Sequence, residues 1–354
     1  MLLFGVGAML FLGGYIIGAG ILVRVFPLRL GAETRLLKER FPYPVTKIAH
    51  RGGCLIGPEN TMYTFGRAIS VGNADMLELD VHLSGDGEIV VSHDAALLRT
   101  CGSFHEETNL ADIVVNGNPN RTLPQSLREI PIHFESPQRG GCYKATDSVP
   151  VDETTRLCLL SEVFDAFPDV PLHIDIKSEG AEITKKVLKL IERYGRETKT
   201  LVGSSNWRNR KHIYDYFVSE HSSESERLLK KRKRFRIFAG PLDCFIVYMA
   251  YFLGVLPLVP LTFDVFSIPV FTKCKMKALD SCFKRFIAYF MNSPVLWNHL
   301  QRRGILVLGW VLNDDEEFEE ASNWPINGIM SDDPIALDTF FNSREMPTAM
   351  NILY

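Results

Sequence analysis

His50 and Arg51 sit side by side at the end of a short apolar run, followed at once by Gly52 and Gly53. An imidazole next to a permanent cation is an odd choice for a strand end that only packs. Further on, Glu78 and Asp80 stand two residues apart in LELDVHL, and His93 precedes Asp94 at the end of another apolar run. Residues two apart on a strand project to one face, so these two carboxylates share a side. Held close, they repel unless a cation neutralises them, and their hard oxygens suit Mg2+ or Ca2+. Asp175, in HIDIK, is a candidate third oxygen donor. Salt-bridged carboxylates plugging one end of the fold are the bland alternative. His50 and His93 make a candidate acid and base, because imidazole titrates near neutral pH. Arg51 and Lys177 add positive charge where an anion would bind, and a guanidinium can grip phosphate with two parallel hydrogen bonds. A metal, two imidazoles and phosphate-holding cations together describe phosphoester cleavage. His82, His105, His133 and His173 lack comparable neighbours and are expected to be structural or superficial.

Distant residues meet only if the elements between them allow it. Runs rich in β-branched residues at 45–50, 76–83, 88–93, 172–177, 200–204, 235–239, 305–312 and 328–331 read as strands. Helices are expected between many of them, including one capped by Asn60 or Thr61 and running to about Val71, and one over 182–194. This alternation predicts an α/β fold, a TIM (β/α)8 barrel over residues 45–340. A doubly wound sheet would carry GxGxxG after its first strand, and none is present. In a barrel, chemistry collects at the C-terminal strand ends, which is where the candidate residues fall.

The chain has 354 residues and a net charge of -3, so no global basic field points to nucleic acid. Residues 2–23 carry no charge and are long enough to cross a bilayer. Nothing basic precedes them, while Arg24, Arg29, Arg35, Lys38 and Arg40 follow. That pattern predicts a retained transmembrane anchor over 1–26 rather than a cleaved signal. It also favours a cytosolic side for what comes next. Residues 27–44 are then a juxtamembrane linker and 341–354 a tail. A second charge-free run, 244–263, is interrupted by Pro257 and Pro260. A single crossing there would split the barrel. Residues 241–303 are therefore expected to be an apolar, membrane-contacting insert between the sixth and seventh strands. The basic run at 230–234 would face lipid headgroups or simply be solvated. Seven cysteines without a CxxC pair predict neither a zinc ribbon nor a disulfide framework. Asn120-Arg121-Thr122 is a glycosylation sequon, usable only in a lumenal domain.

AHRGG with PENT (49–61), ELDV (78–81), VVSHD (90–94), HIDIK (173–177), WVLN (310–313) and GIMSDDP (328–334) occur in order. Together they resemble the glycerophosphodiester phosphodiesterase family over residues 45–340. The resemblance implies a barrel with one divalent cation, Mg2+ or Ca2+, at its C-terminal mouth. It implies His50 and His93 as acid and base, Glu78 and Asp80 as metal ligands, and Arg51 on the phosphate with Lys177 nearby. Asp175 stands where the family usually has Glu, so as a ligand it would need the metal to shift or a water to intervene. Glu59, the acid of PENT, and Trp310 are candidate supporting residues, and holding Arg51 is the bland alternative for Glu59. The anchor and the apolar insert look like the membrane-anchored animal branch, which acts as lysophospholipase D. That likeness implies a lipid bilayer and a lysophospholipid as partners, in the endoplasmic reticulum or another internal membrane. The products would be lysophosphatidic acid and the headgroup alcohol, including N-acylethanolamines. Two alternatives stay open. A phosphodiesterase for soluble glycerophosphocholine would keep its turnover after the insert is trimmed. A non-enzymatic lipid-binding barrel would need a damaged constellation, and only Asp175 departs from the pattern.

Overall fold

The structure, a computed structural model, describes residues 14, 15, 18, 21, 33–101, 109–113, 115, 132–133, 142–143, 155–218 and 235–344. The sequon, His105, the basic run at 230–234, residues 345–354 and all but four residues of the expected anchor lie outside the described residues. Among the described residues, no helix is long and apolar enough to cross a membrane.

In chain order the elements are α1 (Glu33–Arg40), β1 (Lys47–Ala49), α2 (Met62–Ser70), β2 (Met76–Leu83), β3 (Ile89–Val91) and α3 (Leu98–Cys101). There follow β4 (Cys158–Leu159), α4 (Leu160–Ala166), β5 (Leu172–Ile176), α5 (Ala181–Arg193), β6 (Thr200–Gly203), α6 (Trp207–Val218) and β7 (Arg236–Ile237). The last part holds α7 (Pro241–Phe252), β8 (Val265–Pro269), α8 (Lys273–Ala278), α9 (Cys282–Met291) and α10 (Pro294–Arg302). It ends with β9 (Leu306–Trp310), α11 (Asp315–Ser322), β10 (Gly328–Ser331) and α12 (Pro334–Asn342).

Eight strands run parallel around the barrel in the order β1, β2, β5, β6, β7, β8, β9, β10. Strand β10 returns to β1, with Lys47 opposite Ile329. A single parallel bridge, Phe238 to Val265, closes the ring between β7 and β8. Alternation then sorts the side chains. Leu77, Leu79 and Val81 of β2, with Leu172, Ile174 and Ile176 of β5, face outward into the core shared with α4 and α5. The intervening Glu78, Asp80, His173 and Asp175 face the mouth cavity. Register sets Glu78 opposite His173 and Asp80 opposite Asp175.

Below them the interior is apolar, filled by Ile48, Met76, Leu201, Val265, Leu306 and Leu308. Leu37 and Phe41, four residues apart and so on one face, press α1 onto this same cluster. Arg40 donates to the Gly304 carbonyl at 2.8 Å and pairs with Asp264, and Arg236 donates to the Arg40 carbonyl at 2.9 Å. The stretch expected to be a linker thus contains a helix that plugs the N-terminal end of the barrel.

Two strand assignments change. The run at 88–93 is not a barrel strand: β3 pairs antiparallel with the far half of β2, Val81 opposite Val91. The reason was present in the Ser84–Gly87 turn, because a parallel crossover needs a dozen or more residues. The missing barrel strand is β8, inside the region expected to be an insert. It joins β9 over five residue pairs, from Val265–Leu306 to Pro269–Trp310. Only Asp264 separates its apolar sequence from the run at 244–263, which hid it. The apolar region is therefore two excursions, α7 after β7 and α8–α9 after β8, rather than one insert between the sixth and seventh strands.

Candidate active site

The chain leaves β1 through a one-turn helix, His50–Gly52, which turns at Arg51 with φ 52. Gly52 and Gly53 follow with φ 78 and 98, values that favour glycine. A Cβ on Gly52 would lie 2.7 Å from Phe65, and one on Gly53 would lie 2.6 Å from Pro334. The turn is thus wedged between α2 and α12. The Arg51 amide donates to Glu78 Oε2 at 2.7 Å, and Asn60 donates from its side chain to Asp80 Oδ2 at 3.2 Å. The loop and the carboxylate pair position each other.

His50 Nδ1 meets Asp332 Oδ1 at 2.6 Å, and its Nε2 lies 3.9 Å from Glu78 Oε2. Asp332 is held in turn by the Asn313 side chain at 2.9 Å. His93 Nδ1 meets Asp94 Oδ1, also at 2.6 Å, while the His93 carbonyl lies 3.0 Å from His82 Nε2. Each candidate acid/base histidine is therefore oriented through Nδ1 by a carboxylate, as general acid–base chemistry at Nε2 requires. Although β3 lies outside the barrel, the Ser92 amide donates to the Asp80 carbonyl at 2.9 Å, and this brings His93 to the mouth.

Arg51 reaches Glu59 at 3.2 Å and lies 3.6 Å from Asp80. Arg99 grips both oxygens of Glu59, at 2.8 and 2.7 Å, and also pairs with Asp94. One guanidinium therefore links the carboxylate behind Arg51 to the carboxylate behind His93. Lys177 lies between Asp175 at 2.6 Å and Asp80 at 3.0 Å.

Burial disfavours charge on His50, but Asp332 and Glu78 outweigh it and raise its pKa. Burial and then Asp80 push Glu78 upward. Burial opposes ionisation of Asp80 too, yet Lys177 and Arg51 hold its carboxyl below the ordinary range. His173 is lowered to about 3 by burial, so it is neutral. Its ring stacks on Phe238 with centroids 4.3 Å apart. Neither its nitrogens nor Arg51 Nε has a hydrogen-bond partner among the described residues.

The donor set fits the expected divalent cation in kind. Glu78, Asp80 and Asp175 are hard oxygen donors facing one cavity, and the penalty that burial and Asp80 place on the Glu78 carboxylate is one a cation would relieve. As they stand, no three such side chains among the described residues are gathered to hold an ion.

All nine candidates except Glu59 line one cavity of about 840 Å³, Trp310 on its wall and Glu59 behind Arg51. The floor is polar. The upper walls are Phe245, Tyr248 and Phe252 of α7 and Phe286, Phe290 and Met291 of α9. Sequence reasoning missed the roles of Asp332, Asp94 and Arg99, although SHD and SDD lay within recognised motifs. His82 and His173 join the site as supporting and lining residues.

The sequence pattern of the glycerophosphoryl diester phosphodiesterase family matches residues 50–336. The chain is 33% identical to the Rattus norvegicus protein Lysophospholipase D GDPD1 over 94% of its own length and 95% of that protein. The Homo sapiens protein of that name is 32% identical over the same shares. Mus musculus Lysophospholipase D GDPD3 is 29% identical over 86% of this chain and 84% of that protein. The fold is similar to the crystal structure of a putative glycerophosphoryl diester phosphodiesterase from Silicibacter pomeroyi. The TM-score is 0.54 at 18% identity, covering 86% of this chain and 98% of that one. For the Thermotoga maritima glycerophosphodiester phosphodiesterase the TM-score is 0.51 at 18% identity, covering 83% and 97%.

Proposed function

Because the chain belongs to the glycerophosphoryl diester phosphodiesterase family and is a phosphodiester hydrolase, we propose that it cleaves lysophospholipids in the lysophospholipase D sense. It releases the headgroup alcohol, leaves lysophosphatidic acid, and yields N-acylethanolamines from N-acyl lysophosphatidylethanolamines. The observation that carries this reading is the continuity of the polar floor with the aromatic walls of α7 and α9 in one cavity. A water-soluble glycerophosphodiester has no use for such walls; a lipid with one acyl chain does.

Arg51 binds the phosphate through its guanidinium, with Lys177 released from the carboxylates to share it. The free glycerol hydroxyl next to the phosphate attacks phosphorus while one imidazole, His50 or His93, takes its proton on Nε2. The other imidazole, protonated, gives its proton to the departing headgroup oxygen. A cyclic phosphate results, and water opens it with the two histidines exchanging roles. Asp332 and Asp94 keep Nδ1 of each ring occupied, so the working nitrogen stays aimed at substrate. A neighbouring hydroxyl makes the first step intramolecular, an advantage of several orders of magnitude, and diacyl lipids lack that hydroxyl. Glu78 and Asp80, with Asp175, would hold one divalent cation, Mg2+ or Ca2+. Such an ion, when bound, supplies positive charge to the phosphoryl oxygens.

Exposed apolar side chains on α7 and α9, including Phe245 and Phe286, support contact with a bilayer, in an internal membrane such as the endoplasmic reticulum. The test is a product assay. The enzyme, given lysophosphatidylcholine, glycerophosphocholine and diacyl phosphatidylcholine with either metal, should release choline from the lyso-lipid and not from the diacyl lipid. His50→Ala and His93→Ala should each lose at least about a hundredfold in kcat while staying folded. Choline release from glycerophosphocholine alone, or full activity in either variant, would overturn the scheme.

A further inference from the structure

We propose that the cleft between α7 and α9 is an acyl-chain subsite, and that its outer edge is the passage through which the chain enters from the bilayer. This rests on the lysophospholipid reading above and adds where the hydrocarbon goes.

The cleft starts at the reaction floor, because the cavity that holds His50, Arg51 and Glu78 also holds the facing sides of both helices. Its walls are chemically uniform. The α7 residues that face the cavity, from Pro241 to Phe252, carry no charge, and those of α9 are Phe286, Ile287, Phe290 and Met291. The walls are also tied together. Tyr248 donates its hydroxyl to the Met291 carbonyl at 2.6 Å, and the Phe252 and Phe290 rings meet edge to face at 5.6 Å. The Tyr248 ring packs 6.1 Å from Phe266 of β8, which fixes α7 to the barrel wall. Methionines at 249 and 291 give the walls soft, adaptable contacts suited to a flexible chain.

The outer edge is what separates an entry route from a closed pocket. Phe245, Phe252, Phe286 and Phe290 line the cavity and are exposed as well, Phe245 by 60% and Phe286 by 59%. The same rings face the inside of the cleft and the outside of the molecule, so a chain lying between them can reach from phosphate to exterior on apolar contacts alone. Contiguous exposed aromatics of this kind are unfavourable in water and are covered in use. The cover is a bilayer. Tyr15, from the charge-free N-terminal run, donates its hydroxyl to the Leu253 carbonyl just beyond α7, so Tyr15 itself meets the same edge. Lys284 and Arg285 immediately precede Phe286 on α9 and put positive charge beside this edge, where headgroup phosphates would lie.

The test compares long-chain and very short-chain lysophosphatidylcholine with the full-length enzyme in mixed micelles. In Phe252→Asp, a carboxylate replaces a cleft ring, and the long-to-short ratio of kcat/KM should fall at least about tenfold. Leu258→Asp changes a residue that is 68% exposed and outside the cavity, and should leave the ratio within about twofold. An unchanged ratio in Phe252→Asp, with the parent enzyme active on both lipids, overturns the subsite and leaves the lysophospholipid reading standing. A parent enzyme that releases choline from neither lyso-lipid but does so from glycerophosphocholine overturns both. If Phe252→Asp does not fold, the parent enzyme decides. A lysophosphatidylcholine with a photoreactive group in its acyl chain should label peptides from α7 and α9, and labelling confined to other peptides overturns the proposal.

Discussion

Two histidines with their Nδ1 atoms on carboxylates at 2.6 Å mark the working end of this chain, and their carboxylates are not equally placed. Asp332 is fixed by Asn313, deep behind His50. Asp94 is nearer the surface and depends on Arg99, which also holds Glu59 and, through it, Arg51. Arg99 touches no reacting atom in the proposed scheme; there it would align His93, as a proton-moving imidazole, with Arg51, as the phosphate-holding guanidinium. Arg99→Ala should therefore lower kcat by about ten- to a hundredfold and move KM little, because misalignment affects the step more than the encounter. Its side chain is 42% exposed, so the thermal midpoint should stay close to that of the parent. A variant with parental kcat would show that Asp94 and Glu59 hold their positions unaided. At this scale the sequence was largely legible. Glu78 and Asp80 could be picked as candidates by their two-residue spacing, since a strand makes that spacing a shared face, and His50, His93 and Asp175 by type at strand ends. Asp332 could not, because its partner is 282 positions away and no local pattern records such a pair.

Elements were legible where alternation was clean and illegible where it was not. Strand β2 was read at its observed limits, since LELDVHL alternates between outward leucines and inward acids. Strand β8 was not, because only Asp264 separates VFSIP from the apolar run before it. Residues 88–93 misled in the opposite sense: apolar composition suggested a barrel strand, and the short turn before it already ruled that out. Helix α1 was passed over because a highly charged octapeptide looks solvated, yet its spacing puts Leu37 on the same side as Phe41. Only 1% of Leu37 is exposed, inside a plug that touches strands from both ends of the chain. Leu37→Ala should cost about 2–5 kcal/mol, seen as a lower denaturant midpoint with an unchanged slope. Turnover of the folded fraction should persist, since the plug lies at the opposite end of the barrel from His50 and Lys177. A loss of less than about 0.5 kcal/mol would mean that α1 is not part of the folded core.

Across the whole molecule the two ends of the barrel are opposites. The N-terminal end is closed by α1, with Arg40, Arg236 and Asp264 exchanging hydrogen bonds among themselves and with backbone. Among the described residues, the C-terminal end holds a cavity walled on one side by exposed aromatics of α7 and α9 and floored by the carboxylates. A net charge of -3 gives the chain no general attraction to anionic surfaces, so the proposed docking on a membrane would draw on this asymmetry of apolar surface. If the C-terminal end docks, α7 and α9 lose contact with water while α1 keeps whatever exposure it had. Amide hydrogen exchange of the full chain, with and without phosphatidylcholine vesicles, reads this directly. Peptides from 241–252 and 282–291 should slow on adding vesicles, and peptides from 33–41 should not. Equal slowing at both ends would point to general tightening of the barrel, and slowing at 33–41 alone would turn the molecule over. The expected pattern would place the reaction floor at the depth where a lipid phosphate sits, with the acyl chain already on the apolar side of it.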